Sequence, residues 1–161
     1  YYVDGRMKDP TPFLINGGIE MLRSFIKGID EEAVTHNAEI LKTQFAAEIN
    51  FLRNARHYYQ YGKLLITHAG FDSTAENWQD TSEQDFLWIR EHYLQPNQTG
   101  LINIFGHTPT RNMHKIDDIW ISPCQSYIGI DGGCAYGGQL NALLISEQGE
   151  LLEMFVEHSD K

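Results

Sequence analysis

Cysteine is scarce: Cys124 and Cys134 are the two in 161 residues. That excludes a disulfide framework, and their spacing excludes a paired thiolate metal site. Positive charge is also short, with 12 Lys and Arg against 22 Asp and Glu and a net charge of -10. A nucleic-acid backbone or an anionic membrane surface calls for a basic face, so neither is the expected partner. Any phosphate site must then be locally positive within an acidic whole. No apolar run approaches the ~20 residues that a membrane-spanning helix needs. No signal peptide, internal repeat, low-complexity tract or linker stands out, and a reducing, cytoplasmic setting is the expectation. An initiator methionine is missing as well: the chain opens at Tyr1-Tyr2 and reads as a fragment or a processed product.

What is present suffices for one globular domain over 1–161, since 42% of the residues are hydrophobic. Asp9-Pro10-Thr11-Pro12 favours extended or turn backbone. Ile19, Leu22 and Ile26 then have helical spacing, with Lys27-Gly28 as a stop. Val34, Leu41, Phe45, Ile49 and Leu52 predict one long amphipathic helix from Asp30 to about Arg56, with Asp30 as its N-cap. Runs at 57–61 and 63–67, separated at Gly62, predict a strand pair. A second helix is expected over 80–94. Strands are expected at 101–105, 115–121, 127–130, 139–146 and 151–157. Helices first and strands last, around two very apolar central runs, predict an α/β fold with mixed sheets.

Two segments share one form. Leu64-Leu65-Ile66-Thr67-His68-Ala69-Gly70 is a buried-type strand ending in histidine and two small residues, and Leu101 to Gly106-His107-Thr108 is its counterpart. In open α/β sheets ligands sit beyond the carboxyl ends of strands, and neutral imidazole suits Mn, Fe or Zn. Either histidine alone reads equally as a hydrogen-bonded structural residue, and two are an incomplete metal site. Arg90, in Trp88-Ile89-Arg90-Glu91, is either a surface residue or a fork for phosphate or carboxylate. The run from Asp131-Gly132-Gly133 to Tyr136-Gly137-Gly138 holds four glycines in eight residues and makes either a site wall or a tight turn. Asn16-Gly17-Gly18 reads as an ordinary helix cap. His36, His57, His92, His114 and His158 lack ligand-like spacing and read as surface or structural.

In order, Asn16-Gly17-Gly18 with Ser24-Phe25, His68-Ala69-Gly70, Trp88-Ile89-Arg90-Glu91, Gly106-His107-Thr108-Pro109-Thr110 and Ile130 to Leu140 resemble the downstream motifs of bacterial and phage-type serine/threonine phosphoprotein phosphatases. The related symmetrical diadenosine-tetraphosphate hydrolases carry similar motifs. The resemblance implies a metallophosphoesterase, calcineurin-like β-sandwich flanked by helices, with two divalent metal ions, Mn²⁺ before Fe or Zn. It implies His68 and His107 as ligands of one ion, Arg90 on a substrate phosphate oxygen and Tyr136 as a phosphate contact. Asp131 would be a supporting residue rather than a ligand. The implied reaction is direct attack of metal-bound hydroxide on phosphorus, with a phosphorylated protein or a small phosphoester as substrate.

The family's upstream motifs, Gly-Asp-x-His-Gly, Gly-Asp-x-x-Asp-Arg-Gly and Gly-Asn-His-Glu or Gly-Asn-His-Asp, do not occur in this sequence. The expectation is therefore the C-terminal half of such a domain, inactive by itself, completed by an upstream segment of the same protein or by self-association. The alternatives are a symmetrical dinucleoside-tetraphosphate hydrolase and a non-catalytic, phosphatase-like binding fragment.

Overall fold

Pairing of the apolar runs dominates the architecture. The computed structural model describes residues 2–30 and 33–159, which form two compact units, Tyr1–Ala55 and Arg56–Lys161. The chain is mixed α/β. No helix among the described residues is long and apolar enough to cross a membrane.

The first unit is helical. It contains α1 (Thr11–Phe13), a π-helical stretch (Leu14–Gly18), α2 (Ile19–Phe25), α3 (Val34–Gln44) and α4 (Ala46–Arg53). Leu22 of α2 and Leu41 of α3 are fully buried with Tyr2, Ile26 and Ala38 around them. Asn16 is not the cap expected of it. Its Nδ2 donates to the Pro12 carbonyl at 2.7 Å, and Gly18 precedes α2 without a side-chain cap. Gly18 is required by packing, because a Cβ there would overlap the Phe13 carbonyl.

The single long helix expected from Asp30 is two helices. The first starts at Val34, with Ala33 at the cap. Asp30 serves it through its backbone carbonyl, which accepts the Ala33 N–H and the Nδ2 of buried Asn37. Residues 31 and 32 of the expected first turn lie outside the described residues. The break comes at Phe45, whose backbone turns to φ -123° while its ring packs edge-on against Phe25 at 4.9 Å. The Phe45 N–H still donates to the Leu41 carbonyl and the Ile49 N–H to that of Phe45, so the axis changes with these helical bonds kept. Periodicity cannot report this, because Leu41, Phe45 and Ile49 keep their core-facing spacing on both sides of the break.

The second unit is built on a five-stranded mixed sheet of order β1-β2-β3-β5-β4. Its strands are β1 (Tyr58–Tyr61), β2 (Leu64–Thr67), β3 (Ile102–Phe105), β4 (Trp120–Ile121) and β5 (Tyr127–Gly129). The three central strands, β2, β3 and β5, run parallel, and the edge strands β1 and β4 are antiparallel to their neighbours. Both faces are covered, which explains the near-continuous apolar runs of β2 and β3. On one side Leu65, Phe105 and Tyr127 pack with Phe71 and Phe86. On the other, Leu64, Ile104 and Ile128 meet Leu143 and Ile145. The last two belong to β6 (Gln139–Ile145), which pairs antiparallel with β7 (Leu151–His158) as a separate two-stranded ribbon.

Two expected elements shrink. The helix over 80–94 is only α5 (Glu83–Trp88), capped by Ser82 Oγ on the Asp85 N–H and ended by extended backbone at Ile89. The chain must turn there to send His92, rather than a helical neighbour, into the core. The strand over 115–121 is only Trp120–Ile121. Before it lies α6 (Arg111–His114), closed by Lys115 in the left-handed region. Arg111 is held by a bidentate pair with Asp117 at 2.6 and 2.9 Å.

Candidate active site at the strand ends

Because β2, β3 and β5 are parallel, their carboxyl ends share one edge of the sheet. The residues that leave it are His68, Gly106-His107 and Ile130-Asp131. In-register pairing carries past the strands: Gly106 N–H donates to the His68 carbonyl at 2.9 Å, and Ile130 N–H to the Phe105 carbonyl at 2.9 Å. The Ala69 N–H donates to the Phe86 carbonyl, which fixes the end of β2 against α5. His68 and His107 converge as a result, with ring centroids 5.0 Å apart.

His107 occupies a strained position. Its φ is 64°, and the Thr108 N–H bonds back to the Gly106 carbonyl at 2.7 Å, so the histidine is the middle of a tight three-residue turn. Such turns are rare for side-chain-bearing residues and persist where neighbours over-determine them. Its Nε2 is buried and has no hydrogen-bond partner among the described residues. Burial first, then the positive charge of Arg90 and the neighbouring His68, push its pKa below the ordinary histidine range, with Asp131 opposing. The neutral imidazole that results keeps a lone pair available as a metal ligand or proton acceptor.

Arg90 stands outside any helix, on the extended segment after α5, with Nη1 3.4 Å from Thr108 Oγ1. The Trp88 indole meets the His107 ring edge-on at 5.4 Å and is half exposed. Asp131 braces the turn instead of projecting freely. One carboxylate oxygen accepts the Gly133 N–H at 2.9 Å, and its carbonyl accepts the Thr110 N–H at 2.8 Å. Tyr136, on a 3₁₀ turn (Cys134–Tyr136), is 80% exposed, and its hydroxyl makes no hydrogen bond among the described residues. The structure thus brings together His68, His107 and Arg90, sets Asp131 beside them, and leaves Tyr136 without a contact to the group.

Beneath the pair lies a buried polar network that includes His92, a structural residue as one of its two readings had it, and Asn103. Asn103 Nδ2 donates to the Leu65 carbonyl at 2.9 Å and to Thr67 Oγ1 at 3.0 Å, bridging β3 to β2. Its Oδ1 is therefore the acceptor for His92 Nε2 at 3.0 Å, which fixes the His92 tautomer. The His92 ring lies so close to Gly70 that a Cβ there would collide with it. Burial lowers the His92 pKa to about 4 against a smaller opposing effect of Asn103. The signal for this network was an asparagine in the middle of an otherwise apolar strand, Leu101-Ile102-Asn103-Ile104-Phe105.

Two converging imidazoles, one of them with a buried nitrogen that has no partner among the described residues, fit part of a divalent-metal site. They do not complete one. Among the described residues no group of three or more His, Cys, Asp or Glu side chains is arranged to hold a metal ion. No family model, no curated protein and no solved structure matches the chain.

Proposed function

We propose that this chain carries part of the active site of a metal-dependent phosphoesterase. On this reading it is the downstream portion of a calcineurin-like domain that acts as a serine/threonine protein phosphatase or on small phosphomonoesters. One observation carries the reading. Histidines from adjacent parallel strands converge to 5.0 Å between ring centroids, with Arg90 beside them on Thr108 and in no ion pair among the described residues. His68 and His107 hold a divalent cation, Mn²⁺ in the first instance. Arg90 neutralises and orients a phosphate oxygen next to it, and Trp88 walls the His107 side. The strained turn at His107 supports the assignment, because such a backbone is costly to maintain without a use. A divalent ion supplies charge neutralisation and lowers the pKa of water.

The ligand set is partial in this chain, so the remaining carboxylate and histidine donors come from a segment outside this sequence. Turnover of a chromogenic phosphomonoester by this chain alone should be negligible with any divalent metal added. The metal contacts can be tested without turnover. Titration with Mn²⁺ should broaden the imidazole resonances of His68 and His107 before those of His36, His57, His92, His114 and His158. His107→Ala should weaken the broadening at His68 by about tenfold in Mn²⁺ concentration. Broadening that is uniform across the seven histidines, or that leaves position 68 untouched, sinks the metal assignment and the phosphoesterase reading with it.

A further inference from the structure

The ribbon ends in an edge that the fold does not protect. β7 is eight residues long, and every one of them is exposed. It carries no proline and no lysine, and its charges are Glu153 and Glu157 alone apart from His158. Leu152 is 59% exposed, with Met154, Phe155 and Val156 each close to half exposed. The other free edges of the unit differ. β1 has four residues and β4 two, short enough to be poor templates. The far edge of β6 is engaged at its start, where the Gln139 N–H donates to the Gly132 carbonyl, and Gln139 Nε2 and Asn141 Nδ2 reach Asp118 and the Asp117 and Ile130 carbonyls.

The direction of the unpaired groups follows from one bond. Ser159 N–H donates to the Gly138 carbonyl at 3.0 Å, opposite in the β6–β7 register. Strand alternation then turns the N–H and C=O groups of 157, 155 and 153 toward β6, and those of Met154, Val156 and His158 outward. Their side chains lie on the same face as Leu143 and Ile145, the face of β6 that packs on the five-stranded sheet. An apolar inner face therefore overhangs the layer beneath it, beside a row of unpaired backbone groups.

The geometry points to β7 as a homodimer interface, in which β7 of a second copy pairs with it antiparallel to make a continuous four-stranded sheet. Register is selected by charge. Centred on Phe155, the two-fold would set Glu153 against Glu157 of the second copy. Centred on Val156, it sets Glu157 against Phe155 and Met154 against His158, with no glutamate directly facing another. That register also stays within the regular part of β7 and clear of the bulge opposite Leu144 and Ile145. The exposed apolar residues of β7 amount to roughly 450 Å² per copy over its two faces, the size of the largest apolar patch on an ordinary monomer, which is often functional. With the paired backbones, two copies bury about 1,200 Å², the lower bound for a specific interface, so a micromolar dissociation constant is expected. Each copy carries a net charge of -10, so added salt should tighten the pair.

Sedimentation equilibrium of the whole chain, from about 1 to about 200 µM, tests this. A monomer–dimer equilibrium is expected, strengthened by salt. Val156→Pro removes only outward-facing N–H groups, so the far-UV spectrum should hold while the dissociation constant rises by about 50-fold or more. Val156→Lys keeps the N–H and should weaken the dimer as an edge charge, covering the case in which proline disturbs the ribbon. Phe51→Glu, on the exposed face of α4 in the helical unit, should change nothing. A chain that stays monomeric throughout, a dimer indifferent to both Val156 substitutions, or a dimer abolished by Phe51→Glu would each overturn the proposal. Its failure would leave the histidine pair, tested by Mn²⁺ broadening, unaffected.

Discussion

The carboxyl ends of β2, β3 and β5 and the β6–β7 ribbon lie in one unit, but they are held by different forces. At the strand ends, polar groups are buried and tied to one another: His92 to Asn103, Asn103 to Leu65 and Thr67, Gly106 to His68, and Asp131 to Thr110 and Gly133. In the ribbon, Leu143 and Ile145 of β6 pack on the sheet after two buried amides, Gln139 and Asn141, and β7 is open to solvent. Buried polar networks fail sharply when one member is lost, because the partners remain desolvated. An exposed apolar strand loses little per residue. A region built like the first keeps side chains in place for chemistry, whereas one built like the second offers surface.

The largest effect should come from cutting the network at its centre. Asn103→Leu leaves the buried His92 Nε2–H without its acceptor and takes from the Leu65 carbonyl and Thr67 Oγ1 the amide that bridges them. A loss of about 4 kcal/mol is expected in urea unfolding, since each stranded group costs about 1–3 kcal/mol and the added methyl groups offset part. A loss under about 1 kcal/mol would mean that packing, not the hydrogen bonds, joins β2 to β3, and the contrast with the ribbon would collapse.

Acid should act on the same network. His92 is held neutral by burial, with a pKa of about 4 in the folded chain against an ordinary value of 6.5. Between those values the unfolded chain binds the proton and the folded one does not. Stability is therefore full above pH 6.5 and falls as pH drops toward 4, by about 3 kcal/mol in total. His92→Phe should flatten that part of the stability–pH curve, whereas a substitution in β7 should leave its shape unchanged. An unaltered slope in the His92 variant would place the acid sensitivity elsewhere.

Much of this contrast was legible in the residues, and for physical reasons. Near-continuous apolar runs mark strands buried on both faces, so β2 and β3 were readable with the histidines at their ends. The buried face of Gln139–Ile145 was not legible, because the amides of Gln139 and Asn141 are buried while Leu140 is exposed. The break at Phe45 and the early end of α5 at Trp88 were not readable, because a periodic pattern survives a change of helix axis and says nothing of backbone angles. The repeated motif puts a histidine at the end of each strand, but the proximity of His68 to His107 depends on the parallel pairing of β2 with β3, which is a long-range property. Tyr136, placed near the site by resemblance, stands on a turn whose glycines aim the ring into solvent. Asn103 and His92 were visible only as a polar residue in an apolar strand and a histidine without ligand spacing.

The finest test of the contrast lies within the ribbon, between two neighbouring leucines. Successive side chains of a strand point to opposite faces, so Leu143 packs on Leu64, Ile104 and Ile128 while Leu144 is 46% exposed. Leu143→Ala should cost about 2 kcal/mol, the lower end for a truncated core leucine, because the site is only partly enclosed. Leu144→Ala should change stability by less than about 0.5 kcal/mol. Thermal or urea unfolding at a concentration below that of dimer formation measures both without contribution from association. Equal costs at the two positions would mean that the outer face of the ribbon is covered as well, and that the apolar surface assigned to β7 is smaller than its exposure indicates. A large cost at 144 alone would require a one-residue slip of β6, carrying Leu143 to solvent and reversing the face on which the ribbon meets the sheet.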